Sequence, residues 1–186
     1  SGLTSDHLKR ALADESAGVR EQALLLAEGR LMPSPDVADA AMPLAHDSDP
    51  RVRFQWALSA SFAPERAVRP LVELALRDAG DRWLRAAVLC SCQNPENLFL
   101  TELLSTPAPQ SKDVAALHVE VGRLVGASAP KTVLNDVVKR IVTSQVDFDR
   151  RAALLAGFGE AVRKRYPRAP SGSLFASIFV STHADM

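Results

Sequence analysis

Apolar residues recur every three or four positions through most of this chain, the spacing of helices that each bury one face. Leu71, Leu74, Ala75 and Leu76 mark one such stripe, and Val114, Leu117, Val121 and Leu124 mark another. Runs of β-branched and aromatic residues, which strands prefer, are few. Reading the stripes between turn signals predicts helices near 5–14, 17–31, 35–47, 50–62, 64–79, 82–92, 95–105, 112–127, 131–144 and 148–165. They group as about five antiparallel pairs, so the expected fold is all-α. Pro43 and Pro70 fall inside predicted helices, where a missing N–H and a ring clash should kink them.

The pattern also repeats. Asp14-Glu15-Ser16-Ala17-Gly18-Val19-Arg20 aligns with Asp47-Ser48-Asp49-Pro50-Arg51-Val52-Arg53, and then with Asp78-Ala79-Gly80-Asp81-Arg82-Trp83-Leu84-Arg85. The three arginines are 33 and then 32 residues apart, the period of a helical repeat. In each copy the first Asp closes one apolar run, and the apolar residue before the Arg begins the next. Ser16, Asp49 and Asp81 stand three residues before Val19, Val52 and Leu84, where a side-chain oxygen can cap the second helix. Pro50 and Pro35 follow Asp49 and Ser34 as first-turn prolines.

This organisation predicts repeats over 1–105, with units near 5–31, 35–62 and 64–92 and a fourth starting at 95. A Pro-rich linker follows at 106–111, then divergent helical hairpins over 112–165 that lack the Asp…Arg signature, then a tail at 166–186. In the tail, Leu174/Ile178 and Phe175/Phe179 are spaced for a short capping helix, although Ile, Phe and Val also suit an extended segment that docks on a neighbouring copy.

Composition narrows the class without naming an activity. The chain has 186 residues, 47% hydrophobic and 24% charged, a globular balance. Lys+Arg and Asp+Glu are each 22, so the overall cationic charge of a nucleic-acid binder is missing. The charge is segregated all the same. Residues 1–50 carry 4 basic and 9 acidic groups, 51–85 carry 7 and 4, 86–135 carry 3 and 4, and 136–186 carry 8 and 5. No segment approaches the roughly 18 consecutive apolar residues of a membrane span. The chain opens on Ser1-Gly2 rather than Met, which reads as a piece of a longer protein. Cys90 and Cys92 sit in an apolar stretch and read as small core residues, not as a disulfide framework or a zinc site.

Catalytic signatures are absent from the pattern. His7, His46, His118 and His183 are scattered and no Gly-x-Ser-x-Gly turn accompanies them, so no nucleophilic triad is indicated. His46-Asp47-x-Asp49 and His118-x-Glu120 lack the spacing of a helical metal site, and no metal or other cofactor is expected. Gly126-Ala127-Ser128-Ala129-Pro130-Lys131-Thr132 is one residue short of a phosphate loop and has Pro in place of its second Gly, which suits a joint between helices. Gly157-Phe158-Gly159 lies within a helical pattern and suits close helix packing.

Helix, Asp, short turn, apolar-Arg and second helix, with a proline in the first helix as at Pro70, resembles the HEAT repeat of ARM-type α-solenoids. The resemblance is specific over 8–92 and looser over 95–165, and it implies a right-handed α-α superhelix. The stretches from Asp49, Trp83 and Arg151 are similar to the HEAT segment of multidomain planctomycete-type proteins. There such a segment joins a dehydrogenase-like β-propeller to a cytochrome c domain. This chain has no Cys-x-x-Cys-His, so the haem domain itself is absent. The resemblance implies a periplasmic or cell-envelope location, against a cytoplasmic one without it. It also implies that Asp14, Asp47 and Asp78 pair with Arg20, Arg53 and Arg85 as a ladder between units. A guanidinium fork can satisfy a carboxylate and turn carbonyls together.

Solenoid repeats leave a long surface whose usual work is to hold something else. The expected function is a non-catalytic scaffold or spacer, contacting a protein partner or neighbouring domains of the same polypeptide. Its contact surface is expected on the second helices of units two and three, at Arg51, Phe54, Gln55, Arg82 and Trp83. The alternative is a HEAT-like enzyme, either a DNA glycosylase, for which the Arg-rich centre could grip a polyanion, or a bilin lyase. Nucleic acid is the weaker reading, because Arg53 and Arg85 are committed to the ladder and Trp56 occupies an apolar repeat position with Ala23 and Val88.

Overall fold

A computed structural model describes residues 2–31, 34–62, 64–92 and 96–167; the predicted tail segment lies outside the described residues beyond 167. Ten α-helices are present among them and no strand: α1 Ser5–Leu12, α2 Ala17–Leu31, α3 Pro35–Ala41, α4 Pro50–Ser59, α5 Pro64–Arg77, α6 Arg82–Ser91, α7 Glu96–Ser105, α8 Lys112–Ser128, α9 Leu134–Thr143 and α10 Phe148–Arg165. The chain divides into two compact units, Ser1–Glu102 and Leu103–Met186, with the boundary inside α7.

Local chemistry explains where most helices begin. The Asp49 carboxylate accepts from the Arg51 amide, and Asp81 from the amides of Trp83 and Leu84. Ser111 and Asp147 cap α8 and α10 in the same way. Thr4 caps α1 through a reciprocal exchange with His7. Two expected caps differ. Ser34 precedes α3 without a side-chain hydrogen bond, and Ser16 serves α2 through its carbonyl, which accepts from Val19 and Arg20. The proline expectations divide as well. The helix drawn over 35–47 ends at Ala41 and gives way to a tighter 3₁₀ turn, Met42–His46, because Pro43 cannot donate back along the helix. α5 instead runs through Pro70 from Pro64 to Arg77.

In the first unit, α4 packs between α2 and α6, while α1 packs on both α2 and α3 and α5 packs on α6. Leu24, Val52, Trp56, Leu71, Leu84 and Val88 are all buried there. Each such aliphatic side chain contributes about 1.5–3 kcal/mol of transfer free energy. Ala23, Trp56 and Val88, one repeat position in three copies, are all buried, so small and large residues alternate at matched sites.

In the second unit, α8 and α10 pack against each other more extensively than any other helix pair. Residue numbers rise together along the contact, from His118 beside Arg150 to Gly122 beside Leu154 and Gly126 beside Phe158, so the two helices run parallel. Glycine permits this approach. A Cβ on Gly157 would lie 1.9 Å from the Val119 carbonyl oxygen, and one on Gly122 2.1 Å from that of Leu154.

Candidate interaction surface

Arg20 and Arg53 each do two things at once. Arg20 Nη1 donates to the carbonyls of Asp14 and Glu15, closing its own turn, while Nε and Nη2 donate to the Asp47 carboxylate of the next unit, both at 2.7 Å. Arg53 copies this with Nη1 on the carbonyls of Asp47 and Ser48 and Nε on Asp78 at 2.8 Å. Arg85 donates to the Ala79 carbonyl of its own turn. The Asp47 side chain is only 5% exposed, and the Arg20 fork holds its carboxyl below the usual carboxylate range. Its Oδ1 also accepts the Asp49 amide. Asp14 has the same local turn, accepting the Ser16 amide at 2.8 Å, but it heads the series and is exposed.

The five residues expected to form a contact face are not equivalent. Trp83 is 64% exposed, with the Arg82 guanidinium 4.7 Å from its ring centroid. This flat cation–aromatic pair is the kind of group that anchors interfaces. Arg51, at the matching first-turn position of α4, is exposed and turned back on the capping Asp49. Phe54 is half-buried. Gln55 is spent within the fold: its amide donates to Glu28 of α2 and to Ser59, whose hydroxyl also donates to Glu28. Cys90 corrects the sequence expectation, since it is exposed on α6 while Cys92 is buried, and neither forms a disulfide. Cys90 follows the exposed repeat position of Leu25 and Leu58 rather than the core.

The second unit holds features that spacing did not reveal. His118 is fully buried, with Nδ1 2.6 Å from the Val114 carbonyl oxygen and Nε2 receiving Arg150 Nε at 2.9 Å. That geometry assigns the proton to Nδ1 and makes Nε2 the acceptor. Arg150 Nη2 also donates to the carbonyls of Leu103 and Thr106, so the buried guanidinium serves as a clamp. Burial, offset by the Val114 carbonyl, and then the Arg150 charge push the imidazole below its ordinary value. The arrangement is structural, with the ring wedged between two helices. A groove of about 490 Å³ between α8 and α10 is lined by Arg123, Ala127, Glu160, Ala161, Lys164 and Arg165. Arg123 is tied to Glu160 there, and Arg165 donates to the Ala129 carbonyl. No three His, Cys, Asp or Glu side chains among the described residues are grouped to hold a metal, and no helix among them is long and apolar enough to cross a membrane.

Comparison with known protein families and with curated proteins finds no match for this chain.

Proposed function

We propose that this chain is a non-catalytic HEAT-type helical-repeat module that holds a protein partner or neighbouring domains of its own polypeptide. The observation that carries the reading is the repeated arginine fork. Arg20 and Arg53, 33 residues apart, each close their own turn and reach the aspartate of the following unit. A fork reproduced at that spacing stiffens a stack without consuming its outer surface, which leaves side chains such as Arg82 and Trp83 free for a partner. It also withdraws Arg53 from any role in gripping a polyanion.

The test is photo-crosslinking from position 83 of the full chain. Recovery of one stoichiometric protein, lost when Arg82 is changed to Glu, supports the reading. The DNA-glycosylase alternative is tested by a gel shift with duplex DNA at physiological ionic strength. Binding abolished by Arg51→Glu and Arg82→Glu would overturn the scaffold in favour of a nucleic-acid protein.

A further inference from the structure

His118 and Arg150 are both buried, and their contact exists only while the ring is neutral. The imidazole spends its one proton on the Val114 carbonyl through Nδ1, which leaves Nε2 as the acceptor for Arg150 Nε. A second proton, on Nε2, sets a donor against a donor and a cation against a cation across 2.9 Å. The guanidinium also holds the end of α7 and the start of the connection into α8, because Nη2 donates to the carbonyls of Leu103 and Thr106. Whatever displaces Arg150 from the ring therefore releases those carbonyls as well.

A second place for the guanidinium lies close by. A cavity of about 270 Å³ is lined by Arg150 together with Asp147, Asp149 and residues 109–112 of the connection and of the first turn of α8. Asp147 stands three residues before Arg150, the spacing of a helical ion pair, and spends one oxygen on the Arg150 amide. Two charged groups act on the imidazole, both from α10: the Arg150 cation opposes its protonation and the Asp147 carboxylate favours it. α7 and the connection present carbonyls there, and α8 presents the Val114 carbonyl. Moving Arg150 into the cavity takes the opposing charge off the ring and lets water reach it.

We propose that His118 and Arg150 form an acid-released latch: when the imidazole takes a second proton, the guanidinium leaves it for Asp147 and lets go of the end of α7 and the connection into α8. Burial holds the ring of the closed latch below its ordinary value, and in the open latch the ring returns toward about 6.5. The open fraction therefore grows as pH falls below about 6.5, by up to about tenfold per pH unit, until the closed ring itself titrates. Opening breaks only the bonds of the guanidinium, whereas unfolding also separates α8 from α10, so the latch yields first. The proposal does not depend on the interaction-module reading.

The test is hydrogen exchange of the full chain from about pH 7.5 to about pH 5, corrected for the intrinsic pH dependence of exchange. Residues 103–113 should lose protection by up to about tenfold per pH unit below about 6.5, while 121–126 of α8 and 154–162 of α10 keep theirs. His118→Gln should hold the segment closed throughout. Asp147→Asn, which keeps the helix cap and removes the charge, should lower the open fraction about twofold or more. In the parent, nitrogen NMR should show the His118 ring gaining its proton and the Arg150 Nε signal shifting with one midpoint. Protection of 103–113 that ignores pH until the whole chain unfolds overturns the proposal, and so does equal loss in the parent and in His118→Gln. A ring that titrates while the Arg150 Nε signal stays in place overturns it too. That last measurement needs no variant, so it decides the matter even if His118→Gln fails to fold.

Discussion

Substituting Gly157 with Ala separates tertiary packing from helix propensity by the sign of its effect. Within a helix, Gly→Ala stabilises by about 1 kcal/mol when nothing else changes. At Gly157 the new Cβ would fall 1.9 Å from the Val119 carbonyl oxygen, 2.8 Å from its carbon and 3.0 Å from the Arg123 amide nitrogen. All three are backbone atoms, so no side chain can rotate away. Restoring ordinary contact moves α8 and α10 apart by about 1.5 Å, and a gap of about 1 Å already forfeits up to half the dispersion energy of the contacts affected. Overpacking of this kind costs about 3 kcal/mol or slightly more, leaving a net loss of about 2 kcal/mol after the propensity gain. For a unit of this size that lowers the melting temperature by roughly 10 °C. Both tryptophans, Trp56 and Trp83, lie in the first unit, so far-UV circular dichroism must be used to follow the second. Gly29 of α2 provides the control, with nothing within 4 Å of its ideal Cβ. Gly29→Ala should stabilise by about 0.5–1 kcal/mol. A Gly157→Ala protein as stable as the parent would refute the close parallel contact of α8 and α10.

Other consequences are as direct. Arg20→Ala should lower the melting temperature most, because it strands the nearly buried Asp47; Arg53→Ala should lower it less, because Arg77 also reaches Asp78, and Arg51→Ala least. Equal shifts across the three would disprove the register of the fork. His118 is depressed by burial, so the folded state binds its proton less readily than the unfolded chain. Above about pH 6.5 it is neutral in both states and contributes no slope. As pH falls below that value toward the folded pKa, stability should drop by up to about 1.4 kcal/mol per pH unit, and His118→Gln, which keeps a donor and an acceptor, should flatten the profile below about pH 6.5. A His118→Gln profile identical to the parent's would show that the ring does not titrate with unfolding. A thiol reagent should modify one cysteine, Cys90, in the native protein and both in denaturant. Rapid native modification of both would contradict the burial of Cys92.

Much of this protein was legible in one dimension because the causes are local. The 3.6-residue periodicity and the caps at Asp49 and Asp81 act within a turn or two of chain, so the starts of α4 and α6 follow from a few adjacent residues. The repeat located Arg20, Arg53 and Arg85, and the resemblance to HEAT repeats implied a ladder. The fork's division of labour, one nitrogen on its own turn and two on the next unit, became visible only when stacking brought Asp47 to Arg20. Pro43 and Pro70 look alike in sequence, yet one coincides with a tight turn and the other lies within a continuous helix.

Sequence by itself determined the all-helical character of the described residues, the approximate bounds of their helices and a period near 33 residues, since each depends on neighbours along the backbone. Tertiary structure alone decided which faces are covered. It buried His118 against an arginine 32 positions away through a glycine-lined contact that no local signal encodes. It also left Leu26 exposed where matched positions in α4 and α6 are enclosed. A residue's repeat position says what it could pack against; whether a neighbour is there depends on the three-dimensional order of the helices.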